Sequence, residues 1–279
     1  MRIVTLTIDE SMSGRPVESV LQRELRLSGG LISRLKRRPR GILVNGEKAY
    51  TTRLLAMGDE LAVEVGDPPD TPRAAPAALP LTVLWEDEDL LIINKPAGIT
   101  VHADSRRPEE ITLDNVLSAY LPMSAYAHPV SRLDRGTTGI ITYAKSGYAH
   151  EILRRLLHTP DFVREYRGVC LGTPEPPSGT IELPIGFAPG SRYQRAAGLP
   201  GHPAQKAVAA CTVYETLQTH GPYALLRLIP RTGRTHQLRV HMAAIGHPLA
   251  GDWLYGTEPE GEREILRPAL HSYALMLTH

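Results

Sequence analysis

The chain has 279 residues, 42% hydrophobic and 22% charged, with a formal net charge of +1. That mix sustains a packed core and excludes disorder, collagen-like repeats and coiled coil as the dominant state. No stretch approaches 18 consecutive apolar residues, and the N-terminus has no long apolar run, so neither a transmembrane helix nor a signal peptide is expected. Only 5% of residues are aromatic, so the core is expected to be aliphatic. Two cysteines, Cys170 and Cys211, sit in apolar surroundings. They fit a reducing, cytoplasmic setting and favour neither a disulfide framework nor a zinc site.

Along the chain, Val17, Val20, Leu21 and Leu25 recur at helical spacing. A second short helix is expected from about Leu31 to Leu35. Between Arg23 and Arg40 lie seven basic residues (Arg23, Arg26, Arg34, Lys36, Arg37, Arg38 and Arg40) and one acid, Glu24. This local excess is a nucleic-acid signal that the near-zero net charge hides. Gly41 to Gly46 reads as a strand entering a tight turn, because Asn45-Gly46 favours positive φ. Leu54 to Val65 supplies a turn at Gly58-Asp59 and a closing strand.

Five prolines fall between Asp67 and Pro80, which predicts an extended spacer after residues 1–66 that leaves the relative posture of the two parts open. Residues 81–279 alternate elements without a regular βα rhythm. Leu81–Trp85 and Leu90–Asn94 read as strands around the acidic turn Glu86–Asp89. Leu113, Val116, Leu117, Tyr120 and Leu121 make one helical face. Ala149, Ile152, Leu153 and Leu156 make another, with Ser146 as N-cap. Ala207–Tyr214 and Tyr223–Ile229 read as paired strands joined through Gly221-Pro222, and Leu270–His279 as a trimmed edge strand. The fold class expected is α+β, with a mainly antiparallel or mixed sheet flanked by helices.

Two segments concentrate reactive side chains. In Val130–Ile140, Asp134 is placed on a loop at a strand mouth between Arg132 and Arg135. A guanidinium beside a carboxylate favours its ionised form, which can serve as nucleophile or base. In Arg231–Pro248, Leu238, Met242 and Ile245 have helical spacing, Thr235 is the expected N-cap and Gly246 the stop. Arg239, next to Leu238, is placed near the buried edge, where it could reach a carboxylate. His236, His241 and His247 invite a metal reading, but five residues on a helix leave two side chains about 140° apart. No Walker loop, Gly-x-Ser-x-Gly elbow or Gly-x-Gly-x-x-Gly is present, so nucleotide, serine-hydrolase and dinucleotide chemistry lose their usual supports.

Taken singly, these residues are ordinary; their order is not. Glu86-Asp-Glu-Asp-Leu-Leu-Ile-Ile-Asn-Lys-Pro-Ala-Gly-Ile-Thr-Val-His102, Arg132-Leu-Asp-Arg-Gly-Thr-Thr-Gly139, Arg164-Glu-Tyr166 and Gly233-Arg-Thr-His-Gln-Leu-Arg-Val-His241 succeed one another along the chain. In that order they resemble the motifs of the RluA-type pseudouridine synthases, over about residues 82 to 276. Residues 13 to 66 are similar to the alpha-L RNA-binding module of the S-four ribosomal-protein type, on the helix pair, the basic run, Val44-Asn45-Gly46 and Gly58-Asp59. Ser131, Thr138 and Arg164 stand where the family more often has His, Ser and Lys.

The resemblance implies an RNA-uridine isomerase with Asp134 as the catalytic aspartate, Arg239 as its partner and Tyr166 over the target uracil. It implies RNA contacts from Arg132 near the extruded base and from the basic corner of Arg34, Lys36, Arg37, Arg38 and Arg40. Lys95, His102 and Arg234 are further candidates for phosphate contacts or loop support. The isomerisation gains and loses no atoms, so no cofactor and no metal are expected. The partner expected is ribosomal or transfer RNA, with no membrane, and the chain is expected to be a monomer. The competing reading is a catalytically silent RNA-binding or ribosome-assembly protein on the same fold.

Overall fold

The computed structural model describes residues 2–67, 71–104, 107–122, 126–157, 159–257 and 265–278. The first elements are β1 (Ile3–Thr7), α1 (Val17–Arg23), α2 (Gly29–Leu35), β2 (Ile42–Val44), β3 (Glu47–Lys48) and β4 (Glu60–Glu64). The strands form one sheet in the order β1-β4-β2-β3. Val17, Val20 and Leu21 of α1 and Leu31, Ile32 and Leu35 of α2 close over it, forming an aliphatic core with Ile42, Val44, Leu61 and Val63. Ser28 caps α2 by accepting from the Leu31 amide at 3.2 Å. The Asn45-Gly46 turn has φ of 54° and 79°, the left-handed pair that a two-residue hairpin needs.

The chain continues through β5 (Thr82–Glu86), β6 (Leu90–Lys95), α3 (Leu113–Tyr120), β7 (His128–Pro129), β8 (Thr138–Ala144), α4 (Gly147–Leu156) and β9 (Phe162–Leu171). It then forms β10 (Ser178–Ile181), β11 (Ile185–Phe187), β12 (Arg195–Ala197), β13 (Gln205–Val208), β14 (Thr212–His220), β15 (Tyr223–Pro230), α5 (Gln237–Ala244) and β16 (Leu270–Leu277). Nine strands make one large sheet in the order β10-β14-β15-β9-β16-β8-β6-β5, with β7 beside β8. Its pairings are antiparallel except for β16 against β8, so the sheet is mixed and the α+β class holds. Gly139 has φ 105°, and a Cβ there would collide with the Ser272 carbonyl where those parallel strands meet.

Two local expectations change, and one holds. The final strand is not an edge. Described to Thr278, it lies between β9 and β8, inside the sheet. Residues 207–214 do not form one strand either. Ala207 belongs to β13 in a small separate sheet of order β12-β11-β13, and β14 begins only at Thr212. The break falls at Cys211, whose amide leaves the ladder to donate to Thr232 Oγ1. Ser146 does cap α4, accepting from the Ala149 amide at 3.1 Å.

The Pro-rich stretch, described except for residues 68–70, forms no helix or strand, but it is not a free tether. Prolines remove backbone donors, and side chains supply the missing bonds. Arg73 donates to the Ser118 and Pro122 carbonyls, and Asn115 donates to the Ala75 carbonyl, so the stretch is laid along α3. Asp67 accepts from His128 Nε2 and from the Gly147 amide at the start of α4. Further contacts fix the posture of the N-terminal part. Ser28 donates to Glu151 at 2.6 Å, Arg155 donates to the Arg26 carbonyl at 2.6 Å, and Arg2 pairs with Asp89 at 2.8 Å.

Candidate active site

Asp134 lies on the loop from Ser131 to Thr137, between β7 and β8. The loop is fixed from several sides. Its Asp134 carbonyl accepts from the Thr137 amide at 3.0 Å, closing a turn. The Arg135 carbonyl accepts from the Gly98 amide and from Lys95 Nζ. The Arg135 guanidinium is held by both oxygens of Glu110, at 2.9 and 2.8 Å. Gly136 packs so closely on Pro268 that an added Cβ would stand 2.9 Å from its ring. The Asp134 side chain remains partly open, at 26% exposure.

Arg239 approaches from α5. Its Nη1 stands 3.5 Å from Asp134 Oδ2. Its other two nitrogens, Nε and Nη2, donate to Asp252 at 2.7 and 2.8 Å, and its guanidinium lies 5.0 Å from the Tyr255 ring centroid. A planar fork holding one carboxylate bidentately has one edge left for a second. Arg239 is therefore aimed before any substrate arrives. Tyr166, on β9, is 5% exposed and lines the same cleft. Burial raises its pKa above the ordinary phenol value, the nearby Arg164 opposes that rise and Asp134 adds to it. Its hydroxyl is thus protonated at neutral pH, a donor rather than a base.

α5 shows why the three histidines make no metal site. His236 occupies the N-cap in the left-handed region, φ 58°, and Thr235 does not cap the helix. The strained entry is held because His236 Nδ1 meets the Tyr255 hydroxyl at 2.8 Å. His241 is fully buried, with one ring nitrogen on Thr212 Oγ1 and the other on the Leu183 carbonyl. His247 reaches the Leu171 carbonyl. Each ring serves packing at a different place. Gly246, φ 85°, ends the helix as its sequence position predicts.

Asp134, Arg239, Tyr166 and His236 share one open cleft of about 2060 Å³. Among the described residues, ten arginines line it against three carboxylates, Asp104, Glu110 and Asp134. In a chain of net charge +1, positive charge is concentrated around Asp134, the cleft-lining carboxylate that faces Arg239. Such a cleft attracts a polyanion. Arg132, exposed on the Asp134 loop, is part of this lining, as are His102 and Arg234. His102 is paired to Asp114 at 2.6 Å, and Arg234 Nε donates to the Ala209 carbonyl.

Two expected RNA contacts fall elsewhere. Lys95 is fully buried, and its ammonium donates to the carbonyls of Pro96, Ile99 and Arg135 at 2.9, 2.8 and 3.2 Å. All three hydrogens are spent, so it supports the Asp134 loop and has none for a phosphate. Arg38 turns inward from the basic corner, donating to the carbonyls of Glu64 and Gly66. Arg34, Lys36, Arg37 and Arg40 stay exposed, with Lys36 3.6 Å from Glu18. Asp252 and Tyr255, which brace Arg239 and His236, come from a segment that no motif marks. The signal available was Gly251-Asp-Trp-Leu-Tyr-Gly256, one acid in a glycine-bracketed turn.

Known proteins resemble this chain in sequence and in fold. The family described as RNA pseudouridylate synthase matches residues 89–244. The chain is 35% identical over 251 residues to ribosomal large subunit pseudouridine synthase D of Escherichia coli K12, covering 85% of this chain and 75% of that protein. The synthase D of Vibrio cholerae gives the same identity and coverage. Among solved structures, human RNA pseudouridylate synthase domain containing 1 superposes with a TM-score of 0.59 at 25% identity, over 70% of this chain and 78% of that one.

Proposed function

We propose that this chain, which belongs to the RNA pseudouridylate synthase family as an RluA-type member, isomerises a uridine of ribosomal RNA with Asp134 as its essential carboxylate. Family membership makes it an RNA pseudouridine synthase. The choice of ribosomal over transfer RNA rests on relatives whose names carry that substrate. The observation that carries the assignment of Asp134 is its carboxylate facing Arg239 Nη1 at 3.5 Å in an arginine-lined cleft.

The reaction breaks the bond from uracil N1 to ribose C1′ and forms one from C5 to C1′. N1 ends with a proton, and the hydrogen of C5 is released to solvent. Asp134 assists the first step as nucleophile or as base. Arg239, fixed by Asp252, orients that carboxylate. Tyr166, protonated and beside the cleft, packs on the uracil and relays a proton late in the sequence. The target base leaves its stack to enter, at a cost of a few kcal/mol that is least in loops. Arg132 and its neighbours hold the flanking phosphates. Residues 1–66 serve as an RNA-binding module of the S-four type, bringing Arg34, Lys36, Arg37 and Arg40 to phosphates outside the cleft. The chain works in the cytoplasm as a monomer.

The test is tritium release from ribosomal RNA labelled at uridine C5, taken from cells lacking this protein, with wild type and Asp134→Asn side by side. Release by wild type and none by the variant is expected. No release from ribosomal RNA, with release from transfer RNA, would overturn the substrate. Full release by the variant would overturn the role of Asp134.

A further inference from the structure

Gly251 to Gly256 forms a turn that is tied down at almost every residue. Gly251 has φ 69°, and a Cβ there would collide with the carbonyls of Ile265 and Arg267. Asp252, fully buried, accepts from the amides of Leu254 and Tyr255 at 3.1 and 3.2 Å while it holds Arg239. The Tyr255 hydroxyl meets His236 and accepts from the Arg195 amide. One residue of this turn is exposed: Trp253, at 61%, lining the cleft that holds Asp134.

An exposed tryptophan on a mobile loop loses freedom when it binds. One on a turn fixed by its neighbours loses little. The chemistry of the cleft says what would cover it. Arginine-rich walls call for a polyanion, and an indole face calls for a planar apolar partner. A polynucleotide offers both at once, and extruding a uridine strips its neighbours of a stacking face. We infer that Trp253 is a stacking platform for a base flanking the extruded uridine, and thereby a determinant of RNA affinity separate from the catalytic groups. This rests on the reading above that RNA occupies the cleft.

Stacking of one base on an aromatic side chain is worth about 1–3 kcal/mol, or about five- to 150-fold in binding. Trp253→Ala should raise KM for ribosomal RNA within that range, leave the single-turnover rate at saturating RNA close to wild type, and leave the thermal melt unchanged. Trp253→Phe should recover most of the loss. The only other tryptophan is Trp85, on β5 outside the cleft lining, so Trp85→Phe makes Trp253 the sole indole reporter. In the double variant Trp85→Phe/Asp134→Asn, a mixed-sequence oligoribonucleotide should quench that fluorescence at saturation. An unmoved KM in Trp253→Ala, or saturated binding without quenching, would overturn the inference. Wild type that quenches but releases no tritium from ribosomal RNA would refute the substrate reading and leave the platform standing.

Discussion

Asp252 holds Arg239 through two hydrogen bonds of 2.7 and 2.8 Å, with the aspartate side chain fully buried and the arginine 6% exposed. The pair is the foundation of the site, because the remaining edge of the same guanidinium faces Asp134. Removing one partner of a buried pair strands the other charge, at a cost of about 3–5 kcal/mol. Asp252→Asn should therefore lower folding stability by an amount approaching that range and cut tritium release by about tenfold or more through misaim of Arg239. RNA affinity should hold, since Asp252 does not line the cleft. Urea melts and release rates measured together check this; a variant as stable and as active as wild type would remove Asp252 from the site.

Lys95 should make stability rise with pH. Burial pushes its pKa down from 10.5 to about 8. Below about pH 8, folded and unfolded chains both carry the proton, and the penalty of burying the charge is fully present. Between about 8 and 10.5 the unfolded chain binds the proton and the folded chain does not, so folding is favoured as pH climbs, by at most about 1.4 kcal/mol per unit. Lys95→Met should lack this rise relative to wild type. It should also loosen the Asp134 loop, because the Pro96, Ile99 and Arg135 carbonyls lose their shared donor. Parallel pH profiles for both proteins in urea titrations would refute the assignment.

How much of this could be read from the chain depends on how far apart the partners lie. Short-range signals held: Asn45-Gly46, Ser146 before α4 and Gly246 after α5 are decided by neighbours within a few residues. The meeting of Asp134 and Arg239 was legible only through the order of motifs, since 105 positions separate them. The turn that holds Asp252 is legible from its bracketing glycines, but nothing around it in sequence says that it faces Arg239. Of the two roles open to Lys95, phosphate contact or loop support, the carbonyls around it favour loop support, and Arg38 is captured by carbonyls in the same way. A basic residue beside a turn looks exposed until the carbonyls that capture it are known. His236 took the cap from Thr235 because a tertiary bond to Tyr255 holds a backbone conformation that local preference disfavours.

Tyr166 should matter through its hydroxyl. Burial raises its pKa, so it does not ionise in the neutral range and lends no rising limb to the rate there. Tyr166→Phe keeps the ring and loses the proton relay. It should bind RNA as wild type does and release tritium about 10²-fold or more slowly, within the usual range for a lost acid–base group. A phenylalanine variant with the wild-type rate would confine Tyr166 to packing against the base.

The basic corner should divide into two kinds of arginine. Arg34, Arg37 and Arg40 are exposed, whereas Arg38 donates to the Glu64 and Gly66 carbonyls at the end of β4. Neutralising the three exposed arginines together should weaken RNA binding and shallow the slope of log affinity against log salt by about 0.7–0.9 for each phosphate that is no longer neutralised. The rate at saturating RNA should not change, because none of the three lines the cleft. Arg38→Ala should instead lower the melting temperature, through two buried carbonyls left without their donor, and leave the salt slope nearly intact. Filter binding across a salt series separates the two. A triple variant with wild-type affinity and slope would show that residues 1–66 hold the catalytic part without touching RNA at this corner.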